Sequence, residues 1–244
     1  DLFMKRVEED GMWSLFCPSK TPTDLPNLPD IYGEEFERTY LEMERRGLAV
    51  KTIKAQQVYD KIIDLQTETG EPYMLFKDHF NNKSNQKNIG PIHSSNLCCE
   101  IALHTSAEET AVCNLASIAL SRFVEDGVFN IDKLIKVTRL ATKNVNRVID
   151  VGFYPTKESR ASNMRHRPIG IGVQGLADVF ILMRLPFDSD GAKALSNEIF
   201  EAIYYGACLE SCELAKVDGP YETFAGSPLS EGKFQFDLWS DCGS

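Results

Sequence analysis

The sequence predicts an α/β fold. Segments with apolar residues at helical spacing recur along the chain, and short extended or buried candidates lie between them, an order compatible with parallel strands. The 244 residues, 43% hydrophobic and 25% charged, suffice for one large domain or two small ones and exclude disorder, collagen and coiled coil. No internal repeat or low-complexity tract interrupts them.

The elements follow in order. Residues 1–30 are turn-rich, punctuated by Gly11, Pro18, Pro22, Pro26 and Pro29. From Gly33 to Gly47, Phe36, Tyr40, Leu41 and Met43 recur at near-helical spacing. Residues 52–68 repeat the pattern with Ile53, Val58, Ile62, Ile63 and Leu65, and Gly70 stands where a helix C-cap belongs. Residues 72–80 read as a short strand, and 81–91 as a polar loop closed by Gly90-Pro91. The stretches 95–103 and 111–120 read as extended, the second as buried. The clearest helix spans 131–149, with Ile131, Leu134, Ile135, Leu140, Val145, Val148 and Ile149 as its apolar stripe. Its Lys133, Lys136, Arg139, Lys143 and Arg147 form a solvated face. A buried strand or turn follows at 169–173, then helices at 174–184 and 189–217, the last stopped by Gly219-Pro220.

Charge and cysteine content narrow the function. The chain carries 36 acidic against 26 basic residues, net −10, which argues against non-specific binding to duplex DNA or anionic membranes. No apolar run nears the ~20 residues of a membrane span. The opening Asp1-Leu2-Phe3-Met4-Lys5-Arg6 has no signal-peptide pattern, so a reducing, cytoplasmic setting is expected for the seven cysteines at 17, 98, 99, 113, 208, 212 and 242. Both ends suggest a segment of a longer polypeptide.

Four places are candidates for chemistry. In Asn96-Leu97-Cys98-Cys99-Glu100, period-two alternation puts Asn96, Cys98 and Glu100 on one face and Leu97, Cys99 and Ile101 on the other. An amide that holds a hydroxyl, a thiol and a proton-accepting carboxylate would then converge. The bland alternative is a strand with a wet polar face. Cys113 lies in Ala111-Val112-Cys113-Asn114-Leu115-Ala116-Ser117, where a core cysteine is the simpler reading. Gly170-Ile171-Gly172-Val173-Gln174-Gly175 fits the dinucleotide pattern, but Arg165-His166-Arg167-Pro168 precedes it where a strand should be, so close helix–barrel packing is the better account. Cys208 and Cys212 share a helix face without the partners zinc needs, and Cys17, Cys99 and Cys242 suggest only packing. His79, His93, His104 and His166 lack metal-ligand spacing, and no metal site is expected.

Ser95–Ile101 and Ala111–Ser117 together resemble the large (alpha) chain of class I ribonucleotide reductases, of eukaryotic type. So do Asp1–Val7, Gln66–Gly70, Arg165–Asp178 and Gly219–Thr223. The resemblance covers essentially all 244 residues. It implies that residues 1–244 are the central portion of a catalytic ten-stranded α/β barrel, with a finger loop carrying the radical cysteine. Cys98 would be that cysteine, Glu100 the base and Asn96 a ribose-binding amide. Leu97 would join Asn96, Cys98 and Glu100 in contacting substrate, and Cys113 would be one of two reducing thiols. The reaction implied is reduction of ribonucleoside diphosphates to 2′-deoxyribonucleoside diphosphates for DNA synthesis. Cys99, where many relatives have Thr, raises the question of which sulfur bears the radical. The resemblance implies no cofactor in this segment, with the radical coming from a metal-containing small (beta) subunit and ATP or dNTP effectors bound elsewhere. It further implies thioredoxin or glutaredoxin as reductant, a homodimer of the full-length chain, and no nucleic-acid or membrane partner. The isolated segment is expected to be inactive and incompletely folded. The competing readings are a non-catalytic paralogue acting as a scaffold subunit and a thiol-disulfide or metal-binding protein using Cys98-Cys99.

Overall fold

A computed structural model describes residues 1–239, so Cys242 lies outside the described residues. The described residues form two compact units, residues 1–105 with 226–239, and residues 106–225.

In the first unit the turn-rich opening already contains regular structure, which sequence reading did not anticipate. Helix α1 spans Leu2–Glu8 and strand β1 spans Met12–Leu15. Helix α2 (Gly33–Arg45) follows, then β2 (Lys51–Lys54), which pairs antiparallel with β1, Met12 opposite Lys54. Helix α3 (Ala55–Thr69) ends at Gly70, whose φ of +80° is the left-handed cap expected of glycine. Tyr40 anchors this unit. Its hydroxyl accepts from Ser14 N (2.7 Å) and donates to Ser14 O (2.9 Å), while its ring stacks on Trp13 at 4.5 Å. Burial pushes the phenol up to about 12.

The strand expected at 72–80 is absent. Tyr73, Met74, Leu75 and Phe76 are all exposed, and α4 occupies Lys77–Asn82. An extended run forms a strand only against a partner ladder, and none pairs here among the described residues.

The second unit is built on β3 (Leu115–Ala119), followed by a hairpin of β4 (Val124–Glu125) and β5 (Val128–Phe129). Asp126 (φ +51°) and Gly127 (φ +78°) form its two-residue loop, the pattern that favours a type I′ turn. Helix α5 (Ile131–Val151), helix α6 (Lys157–His166), strand β6 (Gly170–Gln174), helix α7 (Leu176–Leu182) and helix α8 (Asp190–Asp218) complete it. β3 and β6 pair in parallel, Leu115 opposite Gly170 and Ala119 opposite Gln174. Among the described residues the strands form three two-stranded sheets, and none closes into a barrel. The architecture is therefore mixed α/β without a closed barrel.

The core of this unit gathers Ile118, Leu120 and Phe123 with Leu134 of α5, Val179 of α7 and Ile199 of α8. On α5 the buried stripe is Leu134, Thr138, Thr142, Val145 and Ile149, and the expected core residues Leu140 and Val148 are exposed. Two threonines displace them because α8 approaches closely. A Cβ on Gly206 would sit 3.2 Å from Ile135 O and 3.3 Å from Thr138 Cβ, a contact that large side chains could not permit. Arg139 is also more than a solvated cation, since its Nε donates to the buried Glu210 of α8 at 2.9 Å.

The glycine motif has a structural explanation. Gly170 and Gly172 lie within β6, and only Gly175, at φ +79°, opens a helix. A phosphate-binding turn needs its glycines between strand and helix. The close approach is between strands rather than the expected helix and barrel: a Cβ on Gly170 would meet Leu115 Cδ2 at 2.6 Å.

The Thr138 hydroxyl is buried without a hydrogen-bond partner among the described residues. Thr138→Val should therefore stabilise the protein by about 1 kcal/mol. Gly206→Val should destabilise it by about 2 kcal/mol through overpacking. Thermal unfolding checks both signs, and a Thr138→Val variant that melts lower would contradict this packing.

Candidate functional site

The segment carrying Asn96, Cys98 and Glu100 is a loop fastened at its base and again at its tip. At the base, the Asn81 carboxamide makes a reciprocal pair with Ile92, donating to its carbonyl at 3.0 Å and accepting from its N–H at 2.7 Å. His93 Nδ1 lies 3.2 Å from Thr105 O, and His104 Nδ1 lies 2.7 Å from Pro91 O. These two contacts tie the outgoing and returning limbs together. Gly90 is required there, because a Cβ would fall 2.6 Å from the His104 ring. His93 and His104 are thus loop fasteners, which their lack of ligand spacing did not suggest.

The tip is closed by residues 95 and 96. Ser95 Oγ donates to Ile101 O at 2.6 Å, and Ile101 N donates to Asn96 Oδ1 at 3.1 Å. Inside that bracket Cys99 N donates to Asn96 O at 3.1 Å, making a turn over residues 96–99. The extended conformation expected at 95–103 is therefore corrected to a turn. Asn side chains satisfy nearby backbone N–H groups and so favour turns over ladders. Cys99 takes φ +64°, a left-handed conformation that costs a non-glycine residue about 1 kcal/mol or more.

Period-two facing does not hold in a turn. Leu97, 80% exposed, and Cys98, also exposed, form the apex; Cys99 is half-buried and Glu100 exposed. Amide, thiol and carboxylate still share one tip, through turn geometry rather than a strand face. Cys98 is exposed because the apex of a turn projects outward. With Oδ1 of Asn96 accepting from Ile101 N, its amino group is the part that can donate outward from the tip.

Cys113 belongs to the second unit and immediately precedes β3. It is exposed, and Asn114 is buried. The core reading of Cys113 is thus corrected: alternation from 113 to 118 turns Asn114 and Ile118 inward and Cys113, Leu115 and Ser117 outward. The buried Asn114 is held by Asn163 and by Pro168 O, a network that a search for apolar periodicity passes over.

Elsewhere, Cys208 and Cys212 lie on α8, and burial pushes the Cys208 thiol up from its ordinary range. Among the described residues no group of three His, Cys, Asp or Glu side chains is placed to hold a metal ion. None of their helices is long and apolar enough to cross a membrane.

Comparison with known proteins gives a consistent result. The family model for the ribonucleotide reductase barrel domain matches residues 1–243. The chain is 56% identical over 240 residues to a ribonucleoside-diphosphate reductase large subunit of Danio rerio, covering 98% of this chain and 30% of the relative. It is 57% identical over 241 residues to the large subunit of Trypanosoma brucei brucei, covering 99% of this chain and 28% of the relative. With the large chain of Neurospora crassa the identity is 53% over 242 residues, covering 98% and 26%. The chain thus spans under a third of the length of these relatives.

If Asn96 closes the tip, Asn96→Ala removes the acceptor for the Ile101 amide. A lost bond of about 1 kcal/mol should speed hydrogen exchange at Ile101 about fivefold. Exchange read by mass spectrometry or NMR checks this, and unchanged protection at Ile101 would contradict the closure.

Proposed function

We propose, because this chain belongs to the ribonucleotide reductase family, that it forms the central part of a catalytic barrel that reduces ribonucleoside diphosphates to 2′-deoxyribonucleoside diphosphates. The observation that carries the assignment to residues is the bracketed tip, which holds an amide, a thiol and a carboxylate within five residues.

The chemistry follows from these groups. A thiyl radical on Cys98 takes the hydrogen atom from C3′, leaving a Cys98 thiol and a carbon radical. Glu100 accepts the proton of the 3′ hydroxyl as general base. The Asn96 amino group donates to a ribose hydroxyl and fixes the sugar beside the sulfur. The 2′ hydroxyl leaves as water. Cys113 and a second thiol supply the two electrons and the protons, ending as a disulfide, and Cys98 returns its hydrogen atom to C3′. Leu97, at the exposed apex, offers the sugar an apolar contact.

Two features support the larger barrel. A parallel pair such as β3–β6 is stable as part of a covered sheet, not as an isolated ribbon, so further strands of a longer chain would extend it toward ten. The loop of residues 92–105, fastened at base and tip, fits a finger projecting into such a barrel. The remaining length of the large chain would then exclude water from Cys98, where a radical requires it.

For the whole protein, the reading includes a small metal-containing subunit as radical source, thioredoxin or glutaredoxin as reductant, and a homodimer of large chains. Effector ATP and dNTP would bind outside these residues, in a cytoplasmic, reducing setting.

The test uses the full-length large chain assembled with its small subunit and CDP. Glu100→Gln should lower kcat about 100-fold or more, the scale of a lost general base. Cys113→Ser should abolish repeated turnover with an external dithiol. A Glu100→Gln enzyme turning over at the wild-type rate would overturn the assignment. The isolated 244-residue chain should form no dCDP.

A further inference from the structure

Helix α6 buries the wrong kind of stripe for a helix that serves stability alone. Its inward residues are Ser159, Ser162, Asn163 and His166, spaced i, i+3, i+4 and i+7. All four are polar. An apolar stripe at the same spacing would be the cheaper way to pack, because buried polar groups at best recover what desolvation costs them.

Two of the four, Asn163 and His166, hold the chain on either side of Cys113. Asn163 and Asn114 form a closed amide pair: Asn114 Nδ2 donates to Asn163 Oδ1 at 2.5 Å, and Asn163 Nδ2 returns a bond to Asn114 Oδ1 at 3.2 Å. The second hydrogen on each amide is also used, toward Pro168 O at 2.9 Å and Tyr154 Oη at 2.5 Å. The Asn114 carbonyl accepts from Gly170 N at 2.9 Å, the bond that starts the β3–β6 ladder. Asn114 is therefore fixed by side chain and backbone together, one residue after the thiol.

A second grip lies before it. Glu109, buried to 8% exposure, meets His166 Nε2 at 2.6 Å and pairs with the Arg165 guanidinium. A carboxylate only accepts, so Nε2 carries the proton. The other ring nitrogen lies 2.9 Å from Thr223 Oγ1, which sets the imidazole plane. Thr110 N adds a bond to Glu158 O at 3.3 Å. The residues between the two grips are 110–113, and the exposed Cys113 ends them.

We propose that Asn163 and His166 are positioning residues for Cys113: gripping Asn114 and Glu109, they fix the backbone from which its sulfur projects. The proposal rests on Cys113 being a reducing thiol. Such a thiol must meet a partner sulfur in every cycle, within a Cα–Cα window of roughly 4.4–6.8 Å. A displacement of about 1 Å in a reacting group can cost about 100-fold in rate. Buried polar networks that lock one geometry suit that demand better than interchangeable apolar contacts.

The test uses full-length large chain with its small subunit, CDP and an external dithiol. The positional readout is alkylation of Cys113 by iodoacetamide in the resting enzyme, followed by peptide mass spectrometry relative to the exposed Cys212. Asn163→Ala should change that ratio at least threefold and lower kcat at least tenfold, with KM for CDP within twofold. If it does not fold, Asn163→Asp, which lacks the amide donors, should move both readouts in the same direction. Glu109→Ala should behave like Asn163→Ala, whereas Glu109→Gln, still able to accept from Nε2, should recover at least a third of kcat. Val145→Ala, a buried apolar change on α5, should lower the melting temperature and leave the ratio unmoved. An unchanged ratio in Asn163→Ala and Glu109→Ala, with kcat falling only as the folded fraction falls, would overturn the positioning role. Sustained turnover by Cys113→Ser would instead overturn the reading beneath it, whatever the ratio shows.

Discussion

A single carboxamide organises the candidate site. Asn96 accepts from Cys99 N through its backbone carbonyl and from Ile101 N through its side chain, so one residue closes the turn in both ways. Without it, nothing in Leu97-Cys98-Cys99-Glu100 would hold these residues in a turn: there is no glycine or proline, and Cys99 must accept a left-handed backbone. The side-chain bond offsets that strain. The chemistry proposed for Cys98 and Glu100 depends on this closure, because two flexible residues could not present sulfur and carboxylate to one sugar together.

The second unit packs in two different ways, and the contrast separates support from function. Around α5 and α8 the contacts are small and tight, with Gly206 against Thr138 and a conventional apolar cluster behind them. Around α6 the buried contacts are hydrogen bonds between amides, a carboxylate and an imidazole. The first arrangement stabilises through excluded water and dispersion, which tolerate small displacements. The second tolerates little, since each bond is directional and an orphaned partner is costly. That stringency falls beside Cys113, in the segment proposed to do redox work.

Much of the fold was legible because helices advertise themselves. α2, α3, α5, α7 and α8 follow apolar recurrence, and Gly70 caps α3 at the residue expected. What escaped depends on partners or on side-chain bonding. β1 and β2 are four residues each and exist through each other, while the apolar run at 73–76 has strand composition without a partner among the described residues. The Asp126-Gly127 hairpin carries a turn signal, but its strands of two residues each are too short for alternation to mark. At the site, the residue types were legible and their geometry was not: alternation described a strand, and the Asn96 side chain made a turn. The polar stripe of α6 has perfect helical spacing but is invisible to a search for apolar periodicity.

The proposed mechanism puts the radical on the apical Cys98 rather than on its half-buried neighbour. The most direct measurement is cleavage of the 3′ carbon–hydrogen bond of CDP tritiated at that position, in full-length enzyme carrying Cys98→Ser or Cys99→Ser. The account predicts no 3′ tritium mobilised by the Cys98 variant and cleavage within about threefold of the unsubstituted enzyme by the Cys99 variant, a residual spread of under 1 kcal/mol. Tritium mobilised by the Cys98→Ser enzyme, or its loss in Cys99→Ser alone, would contradict it.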